Sequence, residues 1–346
     1  MKPDTTNTLT TEFMQLSYYK DSRGNFGDDL NPWVWYSLYP ELFQERGRGT
    51  ILGIGTLIND RTRIPGPVYV CGSGTGYYGA PPPEAGWNYV FVRGPKTADY
   101  LGLSPDFAIT DPAILVSELV PKRPSQTSMV SYMPHHVSAY QADWAEVCRQ
   151  VGLTYLDPTA DIHQTILQIS RSKFVIAEAM HAAIVADALR VPWMPVRAYQ
   201  HILEFKWQDW CASLKMAYAP EDLPELWDIE PFSNKKELFK SAIKKGLIRL
   251  GMDAKSWTPP LPTNNRQQVW QSVLDKLTQL KNAPTLYLSD ARVQDDAKRR
   301  LMETMDAFSA RMDLAGPLPP EVAAPVAPPR ATPHAGGQPA AAFLAS

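Results

Sequence analysis

Ser172-Lys173-Phe174-Val175-Ile176-Ala177-Glu178-Ala179-Met180-His181-Ala182-Ala183-Ile184-Val185-Ala186-Asp187-Ala188-Leu189-Arg190-Val191-Pro192-Trp193-Met194-Pro195-Val196 contains a complete α/β unit. Phe174 to Ala177 is a short apolar run rich in β-formers, which predicts a buried strand. Ala182 to Leu189 predicts a helix, and Trp193 to Val196 a second strand. Between the first strand and the helix stand Glu178 and His181, the polar side chains of the Glu178 to His181 junction. A strand-to-helix junction of this kind presents backbone N–H groups and the positive end of a helix dipole, which favour an anion.

The same alternation extends outward in both directions. Before the opening stretch, Met129 to Tyr132 predicts a strand that ends at Pro134-His135-His136. A helix follows from about Ala139 to Gln150, then a strand over Thr154 to Leu156 and a helix over Ile162 to Ser170. In the amino-terminal half, Thr50 to Ile54 runs into Gly55, and Val68 to Val70 runs into Gly72, Gly74 and Gly76. Strands that end in glycine point to a parallel sheet whose loops face a ligand. Asn25-Phe26-Gly27-Asp28-Asp29-Leu30 opens an amphipathic segment reaching Phe43, with Pro32 in its first turn. Tyr89 to Val92 delivers Arg93-Gly94-Pro95, and Ala108 to Thr110 delivers Asp111-Pro112.

This pattern predicts an α/β protein of two Rossmann-like domains facing a cleft, with additional carboxyl-terminal helices. The boundaries fall at 1–122 for the first domain and 123–230 for the second, with Pro121 to Ser128 as linker. Residues 231–315 read as a helical segment packing on the domains. Within it, Asn234 to Leu250 carries an apolar face opposite Lys235, Lys236, Lys240, Lys244, Lys245 and Arg249. Further helices are expected over about Arg266 to Lys281 and Asp290 to Met312. Residues 316–346, rich in proline and alanine, are expected to be disordered.

Composition excludes several classes. A net charge of -2 over 346 residues gives no overall attraction for nucleic acid, so an anionic ligand must be gripped locally. Cys71, Cys148 and Cys211 are an odd count without metal-type spacing. No secretion signal or membrane-spanning run is expected, and the cytoplasm is the expected compartment. Gly72-Ser73-Gly74-Thr75-Gly76 permits close backbone approach but lacks the spacing of a dinucleotide fingerprint. The patterns of a phosphate-binding P-loop, a zinc protease and a serine hydrolase are missing, and Asp28-Asp29 lacks the pattern of a metal-dependent sugar-nucleotide site. No metal and no cofactor are therefore expected.

Several residues stand out as chemically competent. His181 can hold an anion at the helix start and lend it a proton, or simply cap a buried helix. Arg93, fixed by Gly94-Pro95 at a strand end, can pair bidentately with carboxylate or phosphate, or form a surface ion pair; Lys96 lies one turn on. Of His135 and His136 at most one points into a cleft, because successive strand residues face opposite ways. Asn25, Gly27, Asp28 and Asp29 can orient a sugar hydroxyl or cap the helix they begin.

Taken together, Tyr18-Tyr19-Lys20 through Asn31-Pro32, Val92 to Thr97, Thr110 to Ala113, Met133 to His136, and Ser170 to Pro192 resemble the polysaccharide pyruvyl transferases of bacterial exopolysaccharides. The likeness spans roughly Leu16 to Leu214. Family members usually carry glycine after the motif histidine, where this chain has Ala182. The resemblance implies a fold like the GT-B glycosyltransferases, with phosphoenolpyruvate as donor in the interdomain cleft. It also implies an arginine gripping the donor, matching Arg93, a histidine acting as acid, matching His181, and a further histidine matching His135 or His136.

The expected mechanism protonates the methylene carbon of phosphoenolpyruvate from His181, while Arg93, with Lys96, Arg171 or Lys173, neutralises the donor and Glu178 and Gly74 line the site. Asp28, Asp29 or a second-domain histidine serves as base toward the acceptor, Asp28 being grouped with the catalytic residues. The acceptor is expected to be a lipid-linked oligosaccharide or polysaccharide, and the basic face of 234–250 either meets an anionic membrane at its inner face or is simply a solvated face. Alternatives at this stage are a GT-B glycosyltransferase using a nucleotide sugar, or a non-catalytic scaffold of a polysaccharide assembly complex.

Overall fold

The computed structural model describes residues 14–44, 49–76, 79, 86–121, 129–227 and 266–314. The linker 122–128, the basic segment 234–250 and the tail 316–346 lie outside the described residues. The chain divides into two compact units, each an α/β body around its own parallel sheet.

The first unit comprises residues 1–122, 204–218 and 289–329. Its sheet holds β1 (Gln15–Ser17), β2 (Thr50–Leu52), β3 (Val68–Cys71) and β4 (Trp87–Phe91), paired in parallel in that order. The order is monotonic, so among its described strands there is no reversal of winding. β2 and β3 are buried throughout, which requires the unbroken apolar runs seen in the sequence. Leu52, Ile58, Val68, Val70 and Val92 form one side of the core with Ala98 and Leu101 of α3 (Pro95–Tyr100). Ala108 to Thr110 is not a strand: Ala108 makes a single parallel bridge to Val92, flanked by short 3₁₀ turns that begin at Pro105 and Pro112.

α1 (Phe26–Leu38) differs from its sequence reading in two ways. It stops before Tyr39-Pro40, and α2 (Glu41–Gln44) is separate. Pro32 lies inside the helix rather than in its first turn. A proline there deprives the carbonyl four residues back of its donor; the Asn31 side-chain amide takes that place, donating to the Asp28 carbonyl at 3.0 Å. The same amide group donates to the Ile54 carbonyl at 2.9 Å, while its oxygen accepts the Ile54 N–H at 2.8 Å and the Trp35 indole N–H at 3.1 Å. One buried asparagine thus repairs the helix and docks it on the end of β2. Gly53 is required at that contact, since a Cβ there would stand 2.1 Å from the Trp35 indole nitrogen.

α4 (Val116–Leu119) closes the first pass through this unit. The second unit comprises residues 123–203, 219–288 and 330–346. It contains β5 (Val130–Met133), α5 (Trp144–Val151), β6 (Thr154–Tyr155), α6 (Ile162–Arg171), β7 (Phe174–Ala177), α7 (Met180–Ala188) and β8 (Trp193–Arg197). After α8 (Glu204–Ser213), which belongs to the first unit, come β9 (Glu221–Asp222) and α9 (Arg266–Asn282). The sheet order is β6-β5-β7-β8-β9, all parallel. Winding runs one way from β5 to β6 and the other way from β7 onward, so the reversal falls between β5 and β7. The helix expected over 139–150 is shorter: Ser138–Tyr140 is a 3₁₀ turn, and α5 begins only where Asp143 caps it, accepting the Glu146 N–H at 2.9 Å.

α10 (Ala291–Leu314) lies on the first unit, with Phe308 against Tyr69, Lys298 2.6 Å from Glu118, and the Ser309 hydroxyl on Glu41. The chain therefore re-enters the first unit twice, through α8 and through α10. The sequence alone places α8 in a second domain spanning 123–230 and α10 in a helical segment packing on the domains, whereas both belong to the first unit. Among the described residues no helix is long and apolar enough to cross a membrane.

Candidate functional site

In open parallel sheets ligands bind outside the carboxyl ends of the strands, at the reversal of winding. In the second unit that point lies beyond β5 and β7. The two strands pair in register, Met133 opposite Ala177, so Pro134-His135-His136 and Glu178 emerge side by side. The Glu178 N–H bonds back to the Met133 carbonyl at 3.0 Å, which fixes the junction.

Glu178 is completely buried and ties the strand ends together. Oε2 accepts the His135 N–H at 2.9 Å, and Oε1 accepts the Ala198 N–H at 3.0 Å just past β8. Burial pushes its pKa up to about 6, against the opposing effect of hydrogen bonds from the Ser138 hydroxyl and the His135, Ala198 and Tyr199 N–H groups. The sequence reading made Glu178 a substrate ligand; in the structure it is the buried clamp of the loops that carry the histidines.

Three imidazoles gather there. The His135 ring centre is 4.4 Å from that of His136 and 5.2 Å from that of His201. His135 Nδ1 accepts the Val137 N–H at 3.3 Å, so a neutral His135 carries its proton on Nε2. His201 stacks on Tyr199 at 5.5 Å, and its Nε2 lies 3.1 Å from the Ser138 hydroxyl. Among the described residues no three His, Cys, Asp or Glu converge to hold a metal ion.

His181 is the second residue of α7, half-buried at the carboxyl end of β7. The N-cap is Ala179, which has no side chain able to cap, so the first turn's N–H groups receive no side-chain acceptor from that position. Arg171 and Lys173 stand at the other edge of the sheet. They flank the start of β7, exposed, and a four-residue strand separates them from the histidines by about 13 Å.

In the first unit, Arg93 is not at the surface and does not reach for a ligand. Its side chain is wholly buried, with Nε 3.0 Å from the equally buried carboxylate of Asp209 on α8. Nη1 donates to the Thr56 hydroxyl at 2.9 Å and Nη2 to the Thr75 carbonyl at 3.3 Å. Asp209 also accepts the Thr97 N–H at 2.9 Å and its hydroxyl at 2.6 Å, capping α3 from another element. Gly74 packs flat on the guanidinium: a Cβ there would stand 2.2 Å from Cζ. Gly74 thus makes room for Arg93 rather than for a substrate. Lys96, beside them, is exposed on α3.

The start of α1 brings Asn25, Gly27, Asp28 and Asp29 to the carboxyl edge of the first sheet. Asp29 accepts the Asn25 N–H at 2.8 Å, closing the helix start, while Gly27 is buried within its first turn. Asp28 accepts the Asn25 side-chain amide and faces Gly55, where an added Cβ would stand 2.9 Å from its Oδ1. Tyr19 lies close enough for Asp28 to help raise its pKa, after burial and Asp21. Of this group Asp28 is the carboxylate turned toward the end of β2.

Sequence reasoning missed His201, Ser138, Asp209 and the role of Asn31. Asp209 and His201 sit on no strand end or glycine loop that could mark them, and only the fold brings them to Arg93 and His135. Asn31 carried a signal, namely an amide beside a proline in a helical pattern.

The family model described as polysaccharide pyruvyl transferase matches residues 84–200. The chain is 37% identical over 264 residues to the succinoglycan biosynthesis protein ExoV of Rhizobium meliloti (strain 1021), covering 74% of this chain and 79% of that protein. No solved structure gives a significant match.

Proposed function

Because the chain belongs to the polysaccharide pyruvyl transferases, we propose that it takes phosphoenolpyruvate as donor and builds a cyclic pyruvate ketal on a sugar of an exopolysaccharide precursor. The observation that supports this reading is the set of imidazoles at the winding reversal of the second unit, clamped by buried Glu178. A trianionic three-carbon phosphoester needs positive charge and a proton donor in one place. Imidazoles supply both near neutral pH.

His181, at the amino end of α7, gives its proton to the donor's methylene carbon, which becomes a methyl group. C2 turns electron-poor and is attacked by one sugar hydroxyl, whose proton passes to a base. The C2–O bond to phosphate then breaks, and phosphate leaves with the bonding pair. A second hydroxyl of the same sugar adds to C2 and loses its proton, closing the ketal. One donor and one diol give one ketal and one inorganic phosphate. The amino end of α7 and the imidazoles meet the donor's negative charge, because Arg93 is already neutralised by Asp209.

Incubation with phosphoenolpyruvate and an acceptor glycoside should release inorganic phosphate in step with ketal formation. Release of a nucleotide from a sugar nucleotide under the same conditions, with phosphoenolpyruvate inert, would overturn the reading.

A further inference from the structure

We infer that the outer face of α1 is a platform for the sugar chain that carries the acceptor hydroxyls, an inference that rests on the reading just given for the nature of that chain.

The two faces of α1 differ in chemistry. Leu30, Asn31, Val34 and Trp35 are buried in the first unit. The opposite face, followed at helical spacing from Asp29, carries Trp33 and Tyr36. A solvent-facing stripe on a helix is ordinarily charged or polar; here two large aromatic rings take those places. Tyr36 is 49% exposed, and Phe43 of α2 meets its ring edge-on with centres 4.7 Å apart. That contact holds the ring in place, so little side-chain freedom is lost when a ligand lies on it. Tyr18, half-buried just past β1, has the Lys20 ammonium 5.1 Å from its ring centre. Asp29 and Tyr36 lie close enough to help raise the Tyr18 pKa, after burial, so Tyr18 belongs to the same face.

The occupant follows from charge and shape. Residues 14–44 set Lys20 and Arg23 against Asp21, Asp28, Asp29 and Glu41, an excess of acid that repels an anionic lipid surface or a nucleic acid. A neutral sugar chain meets no such repulsion. One side of a pyranose ring is a row of C–H groups, which packs on the negative face of an aromatic ring. Its rim of hydroxyls finds donors and acceptors in the neighbouring phenol, ammonium and carboxylate groups. From Asp29 to Tyr36 the helix rises about 10 Å, more than one sugar ring spans. The platform thus starts at the strand ends, where Asn25 donates to Asp28, and continues along Trp33 and Tyr36 for at least a second sugar. The reacting sugar lies at the strand ends, and its neighbour in the chain lies on the aromatic rings.

The test is calorimetric titration of the full chain with neutral gluco- and galacto-oligosaccharides of increasing length, from the monosaccharide upward. Wild type should bind longer members more tightly. Tyr36→Ala should remove roughly three- to tenfold of that gain, the scale of one aromatic contact, with monosaccharide binding unchanged. Tyr36→Phe, which keeps the ring, should retain most of it. Trp33→Leu should act like Tyr36→Ala and decides the matter if that variant does not fold. A folded Tyr36→Ala protein that binds every length as wild type does overturns the inference, and so does wild-type affinity that fails to grow with length. Sedimentation of wild type with anionic vesicles, abolished in Tyr36→Ala, would assign the face to a membrane and overturn it as well. Failure of the underlying reading looks different: the oligosaccharides would bind with a Tyr36-dependent gain in length, yet phosphoenolpyruvate would release no phosphate with any acceptor.

Discussion

The Arg93 guanidinium and the Asp209 carboxylate lie 3.0 Å apart, and neither side chain has any exposed surface. They are 116 residues apart in sequence. Between them the chain builds most of a second α/β unit before returning as α8 to supply the acid. The pair closes the first unit around the ends of β2, β3 and β4, and its charge is spent internally.

Removal of one partner leaves an uncompensated buried charge, a loss of about 3–5 kcal/mol in comparable pairs. Arg93→Ala and Asp209→Ala should therefore each lower unfolding stability on that scale in urea titrations. The double substitution should cost clearly less than the sum of the two, because both charges are then gone. A stable Arg93→Ala protein with only a raised KM for donor would restore Arg93 to the ligand.

Asn31 satisfies four polar groups at once, including the carbonyl that Pro32 leaves without a donor. Asn31→Leu fills a similar volume but orphans the Ile54 N–H and the Trp35 indole. The expected loss is roughly 2–4 kcal/mol, from the cost of leaving buried groups unpaired. Thermal unfolding of the variant measures it, and a change within 0.5 kcal/mol, the scale of a neutral surface substitution by rough convention, would mean the docking bonds do not form.

Glu178 links stability to pH. Burial raises its folded pKa to about 6 from an ordinary value near 4.5, so between these values the native state binds more protons than the unfolded one. Stability from this group is full below about pH 4.5, falls as pH rises, and is lost above about pH 6. The total is on the order of 2 kcal/mol. Denaturant unfolding over a pH range that brackets those two values should show the wild-type advantage over Glu178→Gln shrinking by about that amount. An advantage that grows with pH would reverse the sign and refute the burial argument.

The parallel strands were legible in sequence because buried parallel strands are unbroken apolar runs, as at Val68–Cys71 and Phe174–Ala177. His135, His136 and Glu178 were legible as junction residues for the same reason: strand ends are where such runs stop. The role of Arg93 was not, because its partner lies on a helix whose return to the first unit no local pattern announces. His201 was hidden likewise, as its neighbours Ser138 and His135 come from the loop after another strand. Arg171 and Lys173 were adjacent to His181 in sequence, yet a strand crosses the sheet between them. Proximity along the chain misled where strand direction would have corrected it.

The central claim is that His181 protonates a phosphoenolpyruvate-derived donor for transfer to sugar hydroxyls. Mass detection of the acceptor after incubation with phosphoenolpyruvate, in wild type and in a folded His181→Ala protein, tests it most directly. The account predicts a pyruvyl ketal on the acceptor in wild type and a loss of about a hundredfold or more in the variant, the scale of general acid catalysis. Ketal formation by His181→Ala at the wild-type rate would contradict it.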